Sequence, residues 1–490
     1  MLTGLTGPSL LGGSVLPQDT DKLRLTHVSI VGLFGRYNHD FSLVQNERVT
    51  ILHGPNGIGK TAVLRLLFAV FAGRTFQIFS TKFSSLTLDF EGGARLHISR
   101  STAEPDQTAE SISVRSTDRL GLVESFDAFV DSRTLTKFAS SIARRVPWLE
   151  RVGDDMWIDR RSAERLTTSE LLSKFEGSDP DLQPERIGIG EQIRPLLKIH
   201  NTFQALSKQV DVHIIETQRL LTKAKKTERR PSYRNYDDDD GDADVRTTVN
   251  ECAEELKKRI AVSLSRYATE SQRRDQTFPF RLLRLASHSQ VDRVKLEQEL
   301  REIGYKRRQL SEVGLLIEKS EPYGEDFEGL DIASADDAQL RVIELYAGDT
   351  SGKLATLDEV LRIARLFFKI INVRFKHKRL TLDRERGLVA TTDNQDVIRL
   401  DALSSGEQHQ LVMFFDLLFK VRSSSLVLID EPELSLHVNW QKSLLESLIE
   451  ISTQKSLDIL VATHSPYIVG GRIELLRDLS SPDYQDNAEF

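Results

Sequence analysis

Gly54-Pro55-Asn56-Gly57-Ile58-Gly59-Lys60-Thr61 decides how this chain folds. One glycine, four free positions and then Gly-Lys-Thr is the spacing of a loop that cradles phosphate. Val49-Thr50-Ile51-Leu52 before it reads as an apolar strand, and Ala62 to Ala72 after it as a helix. Glycines let the backbone wrap an anion with its N–H groups turned inward, and the helix N-terminus adds partial positive charge. Gly54, Asn56, Gly57, Gly59, Lys60 and Thr61 are therefore the candidate nucleotide-binding residues. Lys60 is placed to neutralise the β- and γ-phosphates, and the Thr61 hydroxyl to reach a magnesium ion.

A second constellation lies far downstream. Leu403-Ser404-Ser405-Gly406-Glu407-Gln408 precedes an apolar helical run, Leu411 to Val421. Leu426-Val427-Leu428-Ile429-Asp430-Glu431 reads as a buried strand ending in two carboxylates. Ser435-Leu436-His437 follows, then a further apolar strand, Ile459 to Ala462, and Thr463-His464-Ser465-Pro466. A carboxylate at a strand end suits magnesium, so Asp430 and Thr61 are the candidate metal residues. Glu431, one residue on, is placed to polarise the water that attacks the γ-phosphate. Glu431 and His464 are the candidate catalytic residues. Helix-opening donors at Ser405 and Gly406 suit a phosphate approached from outside.

In this order the pieces resemble the ABC-type ATPases: signature, second nucleotide motif with its acid, D-loop and switch histidine. The resemblance implies that Ser404, Ser405, Gly406 and Glu407 contact the nucleotide of a neighbouring subunit. It implies ATP and Mg2+ as cofactors, His464 as a γ-phosphate sensor, and a head-to-tail homodimer or higher homo-oligomer. Transporter ATPases hold signature and phosphate loop closer together. Here long inserted material separates Thr61 from Leu403, which resembles the RecF/SMC/OLD branch. Leu25 to Val31, Gly32-Leu33-Phe34-Gly35-Arg36-Tyr37 and Phe41-Ser42-Leu43 look like the opening hairpin of that branch. Together with Val212 to Leu220, they look most like the stand-alone ATPases of antiphage defence, such as those of the PARIS and Septu systems. The resemblance covers roughly residues 23–100 and 355–475. Arg36 and Tyr37 fall near its adenine contact, and Gln77, early and straight after the first helix, is one candidate for its Q-loop glutamine.

The implied fold is α/β, an ABC-type P-loop head split by helical insertions that include a short coiled-coil hairpin. A flexible tail over 1–22 comes first, then the first half of the head over 23–116. Ser85 to Phe90, Arg95 to Arg100 and Ser111 to Arg115 read as strands in it. Residues 117–210 read as a mostly helical insertion, and 211–221 as a strand returning to the head. Residues 222–245, with the acidic run 237–244, read as a disordered charged loop, because a like-charge block repels itself and cannot pack. Residues 246–333 show helical periodicity, with Thr277-Phe278-Pro279-Phe280 near a turn. The second half of the head spans 334–475, with a hairpin from Arg379 to Thr391, and 476–490 is a tail.

With 490 residues, 39% hydrophobic and 28% charged, the chain can bury more than one core. Its net charge of −7 gives no overall pull toward nucleic acid, and no run of 18 apolar residues predicts a membrane span. The single cysteine, Cys252, excludes an internal disulfide and points to a reducing, cytoplasmic setting. No nuclease motif is apparent, and little chain follows His464. A separate nuclease or toxin effector subunit is therefore expected, with a phage protein or DNA as trigger. Direct RecF-like action on DNA, and an assembly scaffold with little turnover, are the alternatives.

Overall fold

The structure is a computed structural model. It describes residues 22–102, 109–153, 155–162, 164–176, 194–216, 248–284, 291–316, 332–434 and 436–480. The tail over 1–21, the charged loop 222–245 and residues 481–490 lie outside them.

The chain opens with β1 (Leu25–Leu33) and β2 (Tyr37–Ser42), then β3 (Val49–His53), α1 (Lys60–Phe71) and α2 (Thr75–Ser80). Next come β4 (Ser85–Phe90), β5 (Arg95–Thr102), β6 (Ala109–Thr117) and β7 (Val123–Asp131). They join β1 and β2 in an antiparallel sheet of order β2-β1-β4-β5-β6-β7. Alternation fixes its inner face: in β4, Leu86, Leu88 and Phe90 are buried between partly exposed residues.

The stretch expected to be mostly helical over 117–210 is mixed. It holds β7, α3 (Ser132–Arg145), the small sheet of β8 (Leu149–Arg151), β9 (Met156–Asp159) and β10 (Glu164–Thr167), then α4 (Thr168–Phe175) and α5 (Arg194–Gln209). β8, β9 and β10, with three or four residues each, are too short to show a period of two, and β7, with nine, breaks its alternation at Glu124-Ser125 and Phe129-Val130.

After β11 (Val212–Ile215) the inserted helices are α6 (Thr248–Leu283), α7 (Arg293–Glu312) and α8 (Asp337–Ala355). α8 packs against both α6 and α7. α6 does not turn near Thr277–Phe280 but continues through Pro279. Proline removes one helical donor there. In the same stretch Thr277 donates its hydroxyl to the carbonyls of Arg273 and Arg274, and Arg281 donates to that of Arg274. Asp349 of α8 pairs with Arg274 and Arg281, tying the two helices together.

The rest of the head follows: α9 (Asp358–Arg374), the hairpin β12 (Lys378–Asp383) and β13 (Gly387–Thr392), β14 (Val397–Ile398) and α10 (Ser405–Phe415). A π-helical turn, Asp416–Lys420, extends α10. Then come β15 (Leu426–Asp430), α11 (Val438–Lys455), β16 (Asp458–Thr463), α12 (Pro466–Val469) and β17 (Leu476–Asp478).

A parallel sheet of order β11-β15-β16-β3-β17 forms the centre. β17 falls where a tail was expected. It adds to the sheet edge because Leu475 and Leu479 on either side of it are buried. β15 and β16 are buried at every position, as a sheet covered on both faces requires. Val427, Ile429, Ile459 and Val461 join one core with α9, α10 and α11. Leu426, Leu428, Leu460 and Ala462 join a second core with α1 and the antiparallel sheet. No helix among the described residues is long and apolar enough to cross a membrane.

Candidate nucleotide site

All strands of the central sheet run the same way, so their carboxyl ends form one rim, the usual ligand edge of an open α/β sheet. Gly54 to Gly59 leave the end of β3 there. Gly57 and Gly59 take positive φ of 87° and 101°, a conformation that glycine adopts without a Cβ clash. A Cβ on Gly59 would come within 2.8 Å of Leu33 Cδ2. From below, His39 Nε2 lies 2.9 Å from Ile58 O, and burial lowers the pKa of this imidazole. The opening hairpin is thus the floor of the loop.

Lys60 opens α1 and is buried. Its Nζ donates to Gly54 O at 2.7 Å and Pro55 O at 3.0 Å. Thr61 Oγ1 donates to Asp430 Oδ1 at 2.9 Å, joining two positions far apart in sequence. Burial raises the pKa of Asp430; the Thr61 bond opposes this and the neighbouring Glu431 charge adds to it.

The chain breaks out of β15 at Glu431, which takes a left-handed backbone with φ 42°. Residues with a Cβ rarely do so, and such departures concentrate at functional sites. The Glu431 N–H donates to Ala462 O at 2.8 Å. Its Oε1 lies 3.4 Å from His464 Nδ1.

Sequence reasoning missed Glu433. Its buried Oε1 accepts from Thr463 Oγ1 at 2.5 Å, His464 N at 3.0 Å and Ser465 N at 3.2 Å. The same oxygen lies 3.2 Å from His464 Nδ1. One carboxylate therefore holds the whole histidine loop. The only signal for it was a third acid directly after Asp430-Glu431-Pro432. Glu216 was also missed. β11 pairs in parallel with β15, Ile215 beside Ile429, so Glu216 stands next to Asp430 on the rim and pairs with Arg65 of α1 at 3.1 Å. Gln77 sits in α2, where its N–H donates to Glu176. Ser435 lies outside the described residues.

At the signature, Ser404 caps α10 in a capping box with Glu407. Ser404 and Ser405 are exposed, whereas Gly406 and Glu407 are buried. Glu407 Oε2 accepts from Ser404 N at 2.8 Å and from Lys378 Nζ at 2.9 Å. Burial works against its charge, but Lys378 and the Ser404 donors prevail and lower its pKa. The Glu407 carboxylate is thus committed within its own chain, and the Ser404 hydroxyl accepts from the Glu407 N–H, while Ser405 is exposed.

A family model described as "AAA domain, putative AbiEii toxin, Type IV TA system" matches residues 205–470, more than half of the chain. The chain belongs to this family. The AbiEii-like AAA match runs from α5 through β11, the inserted helices, α10, Asp430, Glu431 and His464, and the glycine loop lies before it. Among solved structures, the Smc head domain bound to the C-terminal domain of ScpA, from Pyrococcus furiosus, is similar at 14% identity. It covers 91% of each chain, with a TM-score of 0.31. The SMC head domain from Thermotoga maritima is similar at 11% identity over 93% of this chain and 94% of that one, with a TM-score of 0.30. No curated protein matches the chain. Family and topology together describe a P-loop ATPase head split by helical insertions.

Proposed function

We propose that this protein binds and hydrolyses ATP with Mg2+, and that two copies close head to tail around two nucleotides. The dimer, or a higher homo-oligomer, acts as sensor and scaffold of an antiphage defence complex that controls a separate nuclease or toxin effector. The observation that carries the reading is convergence at one sheet edge: the glycine loop, the Thr61–Asp430 pair and the Glu431–His464 pair.

The residues present fit both ligands. Thr61 and Asp430 offer two oxygens 2.9 Å apart, a donor set suited to a hard dication that keeps most of its waters. Bound there, the ion neutralises phosphate charge. An ammonium has three donors, and Lys60 uses two on loop carbonyls, which leaves one for a phosphate. Glu431 takes the proton of the attacking water, and His464 orients that carboxylate while Glu433 holds the histidine loop. Exposed Ser404 and Ser405, with the Gly406 amide at the helix N-terminus, offer anion-binding donors to the nucleotide of a second copy. The family description names a putative toxin of a type IV toxin–antitoxin system, a two-component setting, and the antiphage role rests on the sequence resemblance.

Glu431→Gln keeps the shape and removes the proton acceptor. Phosphate release is expected to fall ~10²-fold or more, with ATP retained and dimer accumulating by light scattering. Unchanged phosphate release would sink the assignment. For the biological role, phage challenge of cells carrying the locus should show protection that Glu431→Gln alters. Tight, salt-sensitive DNA binding by the isolated protein would instead favour direct action on DNA.

A further inference from the structure

Gln410 lies in the second turn of α10 and is 1% exposed. Neither its amide nitrogen nor its amide oxygen has a hydrogen-bond partner among the described residues. Leaving a buried amide unpaired is costly, so such groups are normally matched by protein or by ordered water. Gln410 lines a small cavity together with Met413, Glu431, Pro432 and Leu436. Its volume is about 20 Å³, room for one water and little more. His409 also borders it, but its Nδ1 is engaged with Ser405 O at 2.9 Å. The cavity therefore sits between the helix opened by the signature and the loop that carries Glu431.

We propose that this cavity is a structural water site and that Gln410 is a positioning residue for Glu431. One water pairs with the Gln410 amide and donates to the Glu431 carboxylate, fixing its orientation. An amide suits this task because it offers both a donor and an acceptor and carries no charge. α10 presents its N-terminal donors to the nucleotide of the neighbouring copy, and its second turn sets the carboxylate of its own site. The proposal rests on the reading of Glu431 as the base.

The test assays wild type, Glu431→Gln and Gln410→Met side by side for ATP turnover, and melts each. Methionine keeps the length and removes both polar atoms. Gln410→Met is expected to lower kcat roughly tenfold, the low end of what a misplaced base costs. KM for ATP should stay within about twofold, and a single cooperative melt shows that the variant is folded. If Glu431→Gln turns over like wild type, the reading of the base fails and this proposal with it. If Glu431→Gln is inactive while Gln410→Met keeps wild-type kcat, the Gln410 proposal alone is overturned. A crystal structure of the wild-type protein decides without an assay. An ordered water bridging the Gln410 amide and the Glu431 carboxylate supports the proposal, and a dry cavity or an amide turned onto a protein partner overturns it.

Discussion

Lys60 shows how a single side chain can be structural and functional at once. It is buried, and its ammonium crosses the loop to the carbonyls of Gly54 and Pro55. Replacing it with alanine removes the charge that faces the β- and γ-phosphates. The fold should survive, because the loop conformation is set by Gly57, Gly59 and the contact of His39 with Ile58 O. ATP affinity of Lys60→Ala, measured by calorimetry, is expected to fall at least tenfold with Tm little changed. Wild-type affinity would remove the phosphate-loop assignment. Lys60 was legible because glycine spacing is local. Glu433 was not, since its partners Thr463, His464 and Ser465 meet it only after β15 and β16 pair.

At the scale of elements, helix ends carry much of the polar organisation. Lys455, the last residue of α11, donates to Leu417 O and Leu418 O in the π-helical turn after α10 and to Val421 O, which follows it. Lys455→Met keeps the stem and leaves those carbonyls unpaired. It should cost about 1–3 kcal/mol in a denaturant titration. A variant as stable as wild type would show that water replaces the ammonium freely.

Glu176, which caps the C-terminus of α4, gives a pH signature. Its Oε2 accepts from the N–H groups of Phe76 at 2.8 Å and Gln77 at 3.3 Å. Burial nevertheless pushes its carboxyl up to about 8, against the pull of those donors and of Arg74. Between the ordinary glutamate range and that value the folded state binds the extra proton. The contribution is therefore fully present below about pH 4.5 and lost as pH rises through about 8. From pH 5.5 to 8.5, wild type is expected to lose a few degrees of Tm relative to Glu176→Gln. Parallel curves for the two proteins would contradict the shift.

On the scale of the whole molecule, the head assembles from two ends of the chain, with β3 and α1 from one and β15 and β16 from the other. The inserted helices pack on one another and share one core with α9, α10, α11 and the central sheet, with ion pairs such as Asp349 with Arg281 between them. If the proposed head-to-tail arrangement holds, Ser405 serves the nucleotide bound by Lys60 of the other copy. Two inactive variants, Lys60→Ala and Ser405→Arg, then complement one another. In a mixed dimer one composite site carries both lesions and the other carries none. Mixing should restore turnover up to the fraction of mixed dimers formed, provided one intact site fires alone. Full activity of the wild type as a monomer at every dilution would refute the arrangement.

Periodicity and spacing by themselves determined the glycine loop, the apolar strands β3, β15 and β16, the paired acids Asp430 and Glu431, and a helix opening at Ser405 and Gly406. Each is a pattern within about a dozen neighbouring residues, and local sterics and burial act over that range. Only the tertiary structure decided the neighbours across the sheet. It set Glu216 beside Asp430, Glu433 on the His464 loop, His39 beneath Ile58 and Gln410 on a cavity with Glu431. Strand order and packing bring those side chains together, and no repeat in the chain encodes which distant carboxylate or amide a loop will meet. The short strands β8, β9 and β10 stayed hidden for the complementary reason. With three or four residues each, their pairing comes from the fold around them and not from their own alternation.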